Sequence, residues 1–272
     1  MANPALGHNH QIIARVNLEA NKLTYMEYLR AFVEVVSKEK NLIDLFRICV
    51  ESINSYTVYG GKIAHIVSHI PNLSTIRLYC DVKDTFPNSI EALENTPNIF
   101  NDPKKAFASY CDLASSVLRT FSYYGMYMGT FSKELLLNSF IADNYFSAIS
   151  SIINIKIEYL NYCDAKNKIE MPESRDNEEI PPLLEVKKNK AFYKIVKNVL
   201  FVSLNIFTLY TIYWSAVLST AILTAKSVGI YAIKVLYGDF CEAIEKKKEE
   251  KLNMAYKRAL ASYIPPANTQ PA

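Results

Sequence analysis

The sequence predicts an all-α protein, a helical bundle with at least one C-terminal membrane-spanning helix. Three observations lead there. Apolar residues recur every three or four positions along most of the chain, the spacing of one helical face. Glycine is scarce, seven in 272 residues where roughly nineteen is usual, and this disfavours turn-rich β folds and glycine-rich phosphate loops. Residues 198–225 carry no charge at all. Half of the residues are hydrophobic and only 21% are charged, with a net charge of +3, which excludes a disordered chain. The five cysteines form no C-x-x-C pair, so they read as small apolar residues of a reducing compartment.

Residues 1–23 are expected to be disordered. The first eleven have neither a basic nor an apolar leader region, so a protein that is not secreted is expected. A helical, membrane-associated domain is expected over residues 24–163. Its first helix opens with a capping box, in which the Thr24 hydroxyl accepts from a free amide and Glu27 reaches back. Tyr25, Tyr28, Leu29, Phe32 and Val36 follow at helical spacing. After a break at 37–40 the pattern resumes at Leu42, Leu45, Phe46 and Cys49. A second helical region over 62–86 is interrupted at Pro71, with Ser74 as a new cap. Prolines and asparagines over 87–103 predict a loop, and Asp102-Pro103 predicts a helix start. Phe107, Tyr110, Ala114, Val117, Leu118 and Phe121 then share one face. Another helix is expected to begin after Asp143 and to carry Phe146, Ile149, Ile152, Ile153 and Ile157.

Residues 164–190 are rich in charge and hold three prolines, so a solvated linker is expected there. The hydrophobic membrane segment is placed at 191–238. Twenty-eight uncharged residues would form a helix of about 42 Å, longer than the roughly 30 Å hydrocarbon core. Lysines flank both ends of the run, whereas Tyr210, Tyr213 and Trp214 fall near its middle, away from the ends where an aromatic belt would lie. Asn205, Thr208, Ser215 and Ser219 make a narrow polar stripe, which a spanning helix can turn toward a partner helix. Gly125 and Gly129 form a G-x-x-x-G within a run too short to cross a bilayer. Residues 239–272 read as a charged helix followed by a disordered tail.

Chemistry-bearing motifs are absent from the sequence. His65 and His69 are four apart, but Ile66 stands where a metalloprotease needs glutamate. No nucleophile elbow or phosphate loop appears, and basic residues are not interleaved with aromatics as a nucleic-acid groove requires. The expectation is a protein without enzymatic activity, without cofactor or metal, and without nucleic acid as a partner.

Three stretches carry a resemblance to a known family. They are Leu29-Arg30-Ala31-Phe32 with the downstream 40–47 segment, Ser74-Thr75-Ile76-Arg77-Leu78-Tyr79, and 215–233 with Gly229-Ile230-Tyr231. In layout, residues 25–237 resemble the peroxisomal membrane-elongation peroxins, the eleventh peroxin family. The resemblance implies a protein integral to a peroxisomal membrane that elongates and divides the organelle. It implies membrane lipids, further copies of the chain and organelle-division machinery as partners. It also implies that an amphipathic helix bearing Leu73, Ile76, Arg77, Tyr79 and Lys83 inserts into one leaflet. Two other readings stay open: an effector anchored in a vacuole or inclusion membrane, and a soluble all-α scaffold that buries the same hydrophobic run.

Overall fold

A computed structural model describes residues 23–38, 41–46, 48–49, 52, 90, 94, 100–128, 131–171, 181–215 and 220–261. Of these, 94% are helical and none forms a strand. Among the described residues the main α-helices are α1 (Tyr25–Val36), α2 (Pro103–Met128), α3 (Lys133–Glu170), α4 (Pro181–Ser215), α5 (Thr220–Tyr231) and α6 (Phe240–Ala261). A π-helical segment, Ala232–Asp239, joins α5 to α6. Such stretches are rare and often mark functional positions.

Local signals explain the helix starts. Thr24 and Glu27 close the capping box of α1. The Asp102 carboxylate accepts from the Lys105 amide ahead of Pro103, which supplies a helical φ where no amide is needed. Ser132 caps α3 through the Leu135 amide. That start overturns the expected one after Asp143, which instead lies ten residues inside α3. The expected linker at 164–190 is also corrected. Residues 164–170 continue α3, and 181–190 open α4. Local charge pairs hold them helical: Lys168 with Asp164, Lys166 with Glu170, and Lys188 with Glu185.

The uncharged run at 198–225 does not form one helix. α4 ends at Ser215 and α5 begins at Thr220, with 216–219 outside the described residues. The two arms pack back to back, antiparallel. A Cβ on Gly229 would lie 2.8 Å from Leu204 Cδ1, and one on Gly238 would lie 2.6 Å from Lys197 Cδ. Further along, Lys190 meets Glu249 and Val186 packs on Leu252. The candidate spanning helix is therefore α4 itself, the one described helix long and apolar enough to cross a membrane. It does not lie at the C-terminus of the chain, since α5, the π segment and α6 follow it.

α3 lies antiparallel to both of its neighbours. Asp143 meets Ser115 and Arg119 of α2. Phe140 packs on Ile212, Ser147 accepts from Asn205, and Glu158 pairs with Lys194. The chain thus runs up, down, up and down through α2, α3, α4 and the α5–π–α6 rod. α1 docks on that rod. Val35 packs with Ile48, Tyr231 and Val235, and Phe32 meets Phe240 edge-on at 5.7 Å. Lys251 and Lys247 of α6 pair with Glu27 and Glu34. The Glu27 carboxyl is held below its ordinary value by the Thr24 amide and hydroxyl, and that of Glu34 by Lys247.

Candidate functional site

In the described bundle polar side chains are buried beside apolar ones, and many large apolar side chains face outward. On α3 the buried side chains include Ser139, Asp143, Asn144, Ser150 and Ser151, while Tyr145, Phe146, Ile149 and Ile152 are exposed. On α4, Asn198, Asn205 and Thr208 are buried, while Val199, Leu200, Ile206, Phe207, Tyr210 and Tyr213 face outward. Only 22% of the most apolar 18-residue stretch of α4 is buried. Apolar core is confined to small clusters such as Phe140–Ile212 and Val186–Leu252. Water would penalise this arrangement, because burial of apolar area is what drives a soluble fold. Lipid reverses the argument, since small and polar residues then serve the helix contacts and apolar ones face the acyl chains.

Buried polar groups must find partners. Most find their own helix: Ser122, Ser139, Asn144, Asn198 and Thr208 each donate to the carbonyl four residues back. Asp143 is different. Its Oδ1 accepts from Ser115 Oγ at 2.6 Å and Arg119 Nη2 at 3.1 Å, and its Oδ2 accepts from Lys226 Nζ at 2.5 Å. Asp143 is fully buried, Lys226 nearly so, and the Lys226 ammonium sits 4.6 Å from the centre of the Phe140 ring. Three helices, α2, α3 and α5, thus meet at one carboxylate. Asn144 Oδ1 beside it has no partner among the described residues.

Depth follows from helical rise. Between Leu135 and Ile155, α3 carries Asp143 as its one charge, over a length of about 30 Å. That length equals the thickness of a hydrocarbon core, and Asp143 stands near the middle of the stretch. At one edge stand Lys156 of α3 and Lys194 and Lys197 of α4. Counting back along α2 from the Ser115–Asp143 contact brings Lys104 and Lys105 to the same depth. We call this edge the lysine collar. The ring pairs Tyr162–Phe192, Phe192–Tyr193 and Tyr193–Tyr237 lie alongside it. Toward the other edge stands Trp214, stacked on Tyr210 at 6.1 Å, with Tyr213 beside it, whose hydroxyl lies 3.3 Å from that of Tyr145 near mid-band. Because α4 ends at Ser215, these aromatics close a helix and do not sit mid-run. Tyr193 and Trp214 are about 31 Å apart along α4, the spacing of two interfacial belts.

Among the sequence-predicted site residues, Asn205 and Thr208 face the bundle interior, and Asn205 Nδ2 donates to Ser147 Oγ at 3.0 Å. Ser215 is exposed and donates to the Thr211 carbonyl on its own helix. Ser219, Leu73, Ile76, Arg77, Tyr79 and Lys83 lie outside the described residues, as does Gly129 of the glycine motif. Gly125 lets α2 meet the turn into α3, because a Cβ there would lie 2.2 Å from the Phe131 ring and 2.4 Å from Leu136. Sequence reasoning missed Arg119, Asp143 and Lys226. Their signal was available as opposite charges standing alone in long apolar stretches.

Outside the apolar band, Glu245 of α6 is buried and accepts from Lys248. Burial works against the charge on Lys248, but Glu245 outweighs it and holds the ammonium above its ordinary value. Among the described residues no three metal-ligating side chains come together. The chain matches no protein-family model, no curated protein and no solved structure.

Proposed function

We propose that this protein is a non-enzymatic integral membrane protein whose bundle shapes the organelle membrane that holds it. One observation carries the reading: the helices turn polar and charged side chains inward and apolar ones outward across a band as thick as a bilayer. At the lysine collar α1 and the helical residues 41–46 pack beside the π segment, and such bulk added in one leaflet favours curvature toward that side. The exposed apolar face can further associate with a second copy, concentrating the effect. The peroxisomal setting and a role in elongation and division come from the resemblance of residues 25–237 to the membrane-elongation peroxins.

The test is alkaline carbonate extraction of the full-length protein, followed by reconstitution into vesicles. Protein should stay with the membrane pellet, and vesicles loaded with it should become tubular or small. Release into the supernatant would return the chain to the soluble-scaffold reading. Retention with unchanged vesicle shape would leave an anchor and remove the shaping role.

A further inference from the structure

We infer that the cleft between α4 and the π-helical segment binds the phosphate head group of an anionic phospholipid. The inference rests on the membrane reading above and names the ligand class of one site within it. The cleft is shallow, opens to the exterior, and is lined by Lys190, Tyr193, Lys194, Lys197, Gly238 and Glu242, three lysines to one carboxylate.

Two of the lysines are steered from outside the cleft. Lys190 pairs with Glu249 at 2.5 Å and Lys194 with Glu158 at 3.4 Å. An ammonium has three donors, so each keeps capacity for a second acceptor. Lys197 differs. It is half-buried, and among the described residues it forms no ion pair. Its stem lies against the open face of Gly238, where a Cβ would come within 2.6 Å of Lys197 Cδ. Glycine inside the π segment thereby admits the lysine stem and leaves the charged end in the cleft. An entering anion gives that ammonium an acceptor of opposite charge. The Tyr193 ring completes the wall.

Position selects a lipid as the source of the phosphate. The cleft lies at the collar, where the uncharged stretch of α4 begins and where phosphates of a bilayer would stand. Val199 and Leu200 are exposed within the next turn of α4, so acyl chains can descend along the apolar face while the phosphate stays with the lysines. A soluble phosphate would use the charged half of this site and leave the apolar half uncovered.

The experiment uses full-length protein in mild detergent with phosphatidylcholine plus phosphatidic acid, and native mass spectrometry to count retained lipid. Wild-type protein should keep phosphatidic acid selectively. Lys197→Gln should lower its retention about fivefold, the scale of one lysine at a lipid surface, and leave phosphatidylcholine unchanged. Lys133→Gln, at the opposite end of the bundle, is the control and should behave as wild type. Millimolar inorganic phosphate should displace little of the lipid. Equal retention by Lys197→Gln and wild type overturns the site, as does an equal loss in both variants. Full displacement by inorganic phosphate overturns the lipid source. A protein that stays in carbonate-washed membranes yet shows no Lys197 effect defeats this site alone, whereas one that leaves the membrane defeats the membrane reading beneath it.

Discussion

Asp143→Asn should destabilise the bundle by about 3–5 kcal/mol, the range for removing one partner of a buried ion pair. The amide has nearly the same shape, so no cavity explains the loss. What changes is charge. Lys226, buried against Phe140, loses its counter-ion, and the Arg119 guanidinium nearby then repels it. Because Ser115, Arg119 and Lys226 come from α2 and α5, the carboxylate joins the α2–α3 arm to the α4–α5 arm. Adding Lys226→Met should recover part of the loss, since it removes the fully buried cation and the repulsion between it and Arg119, which is 22% exposed. The check is a double-mutant cycle on unfolding in detergent or bicelles. A single-variant loss within about 1 kcal/mol, or strictly additive losses in the pair, would mean that the cluster does not hold the arms together.

Ile206→Arg combined with Phe207→Arg should block stable membrane insertion. Both side chains point outward from α4, and Phe207 is 66% exposed. Counting from the Asn205–Ser147 contact, they lie within a few residues of the band's centre. An arginine at that depth costs about 2.5–3.5 kcal/mol on insertion scales, and two of them outweigh the apolar gain of one helix. If the face met water, the same changes would fall within about ±0.5 kcal/mol and improve solubility. Protease protection of α4 in reconstituted vesicles measures the outcome. Loss of protection is the expected result, and full protection with both arginines would place this face away from lipid.

Where the sequence was legible, the signal was local. Thr24 with Glu27 and Asp102 with Pro103 mark their helix starts by side chains that bond amides a turn away. The reach of α3 was not legible, because aspartate usually caps helices and Asp143 reads as a start. Its stability mid-helix comes from Arg119 and Lys226, 24 and 83 residues away, and nothing near it in sequence announces them. The apolar stripes were visible but their direction was not. Phe107, Val117, Phe146, Ile149 and Ile152 keep helical spacing whether they face a core or a lipid, and the fold turns them outward. The buried face of α2 is instead Ala106, Ala108, Cys111, Ser115 and Ser122, small side chains that a hydropathy pattern overlooks. Residues 216–219, between α4 and α5, hold neither glycine nor proline, so the two arms read as one long helix in the sequence, with the aromatics at its middle. The Arg77 region, which carries the resemblance to a membrane-inserting helix, lies outside the described residues.

The chain has one tryptophan, Trp214, and this allows the lipid-facing band to be tested without a single substitution. The indole is 81% exposed, stacked on Tyr210 at the end of α4. At the edge of a bilayer it would be shielded from water and near lipid carbonyls. Full-length protein should be reconstituted in vesicles whose phospholipids carry bromine at a shallow or a deep acyl position, and Trp214 fluorescence recorded in each. The account predicts emission shifted to shorter wavelength, strong quenching by the shallow bromine and weaker quenching by the deep one. Emission typical of an indole in water, untouched by either bromolipid, would contradict it.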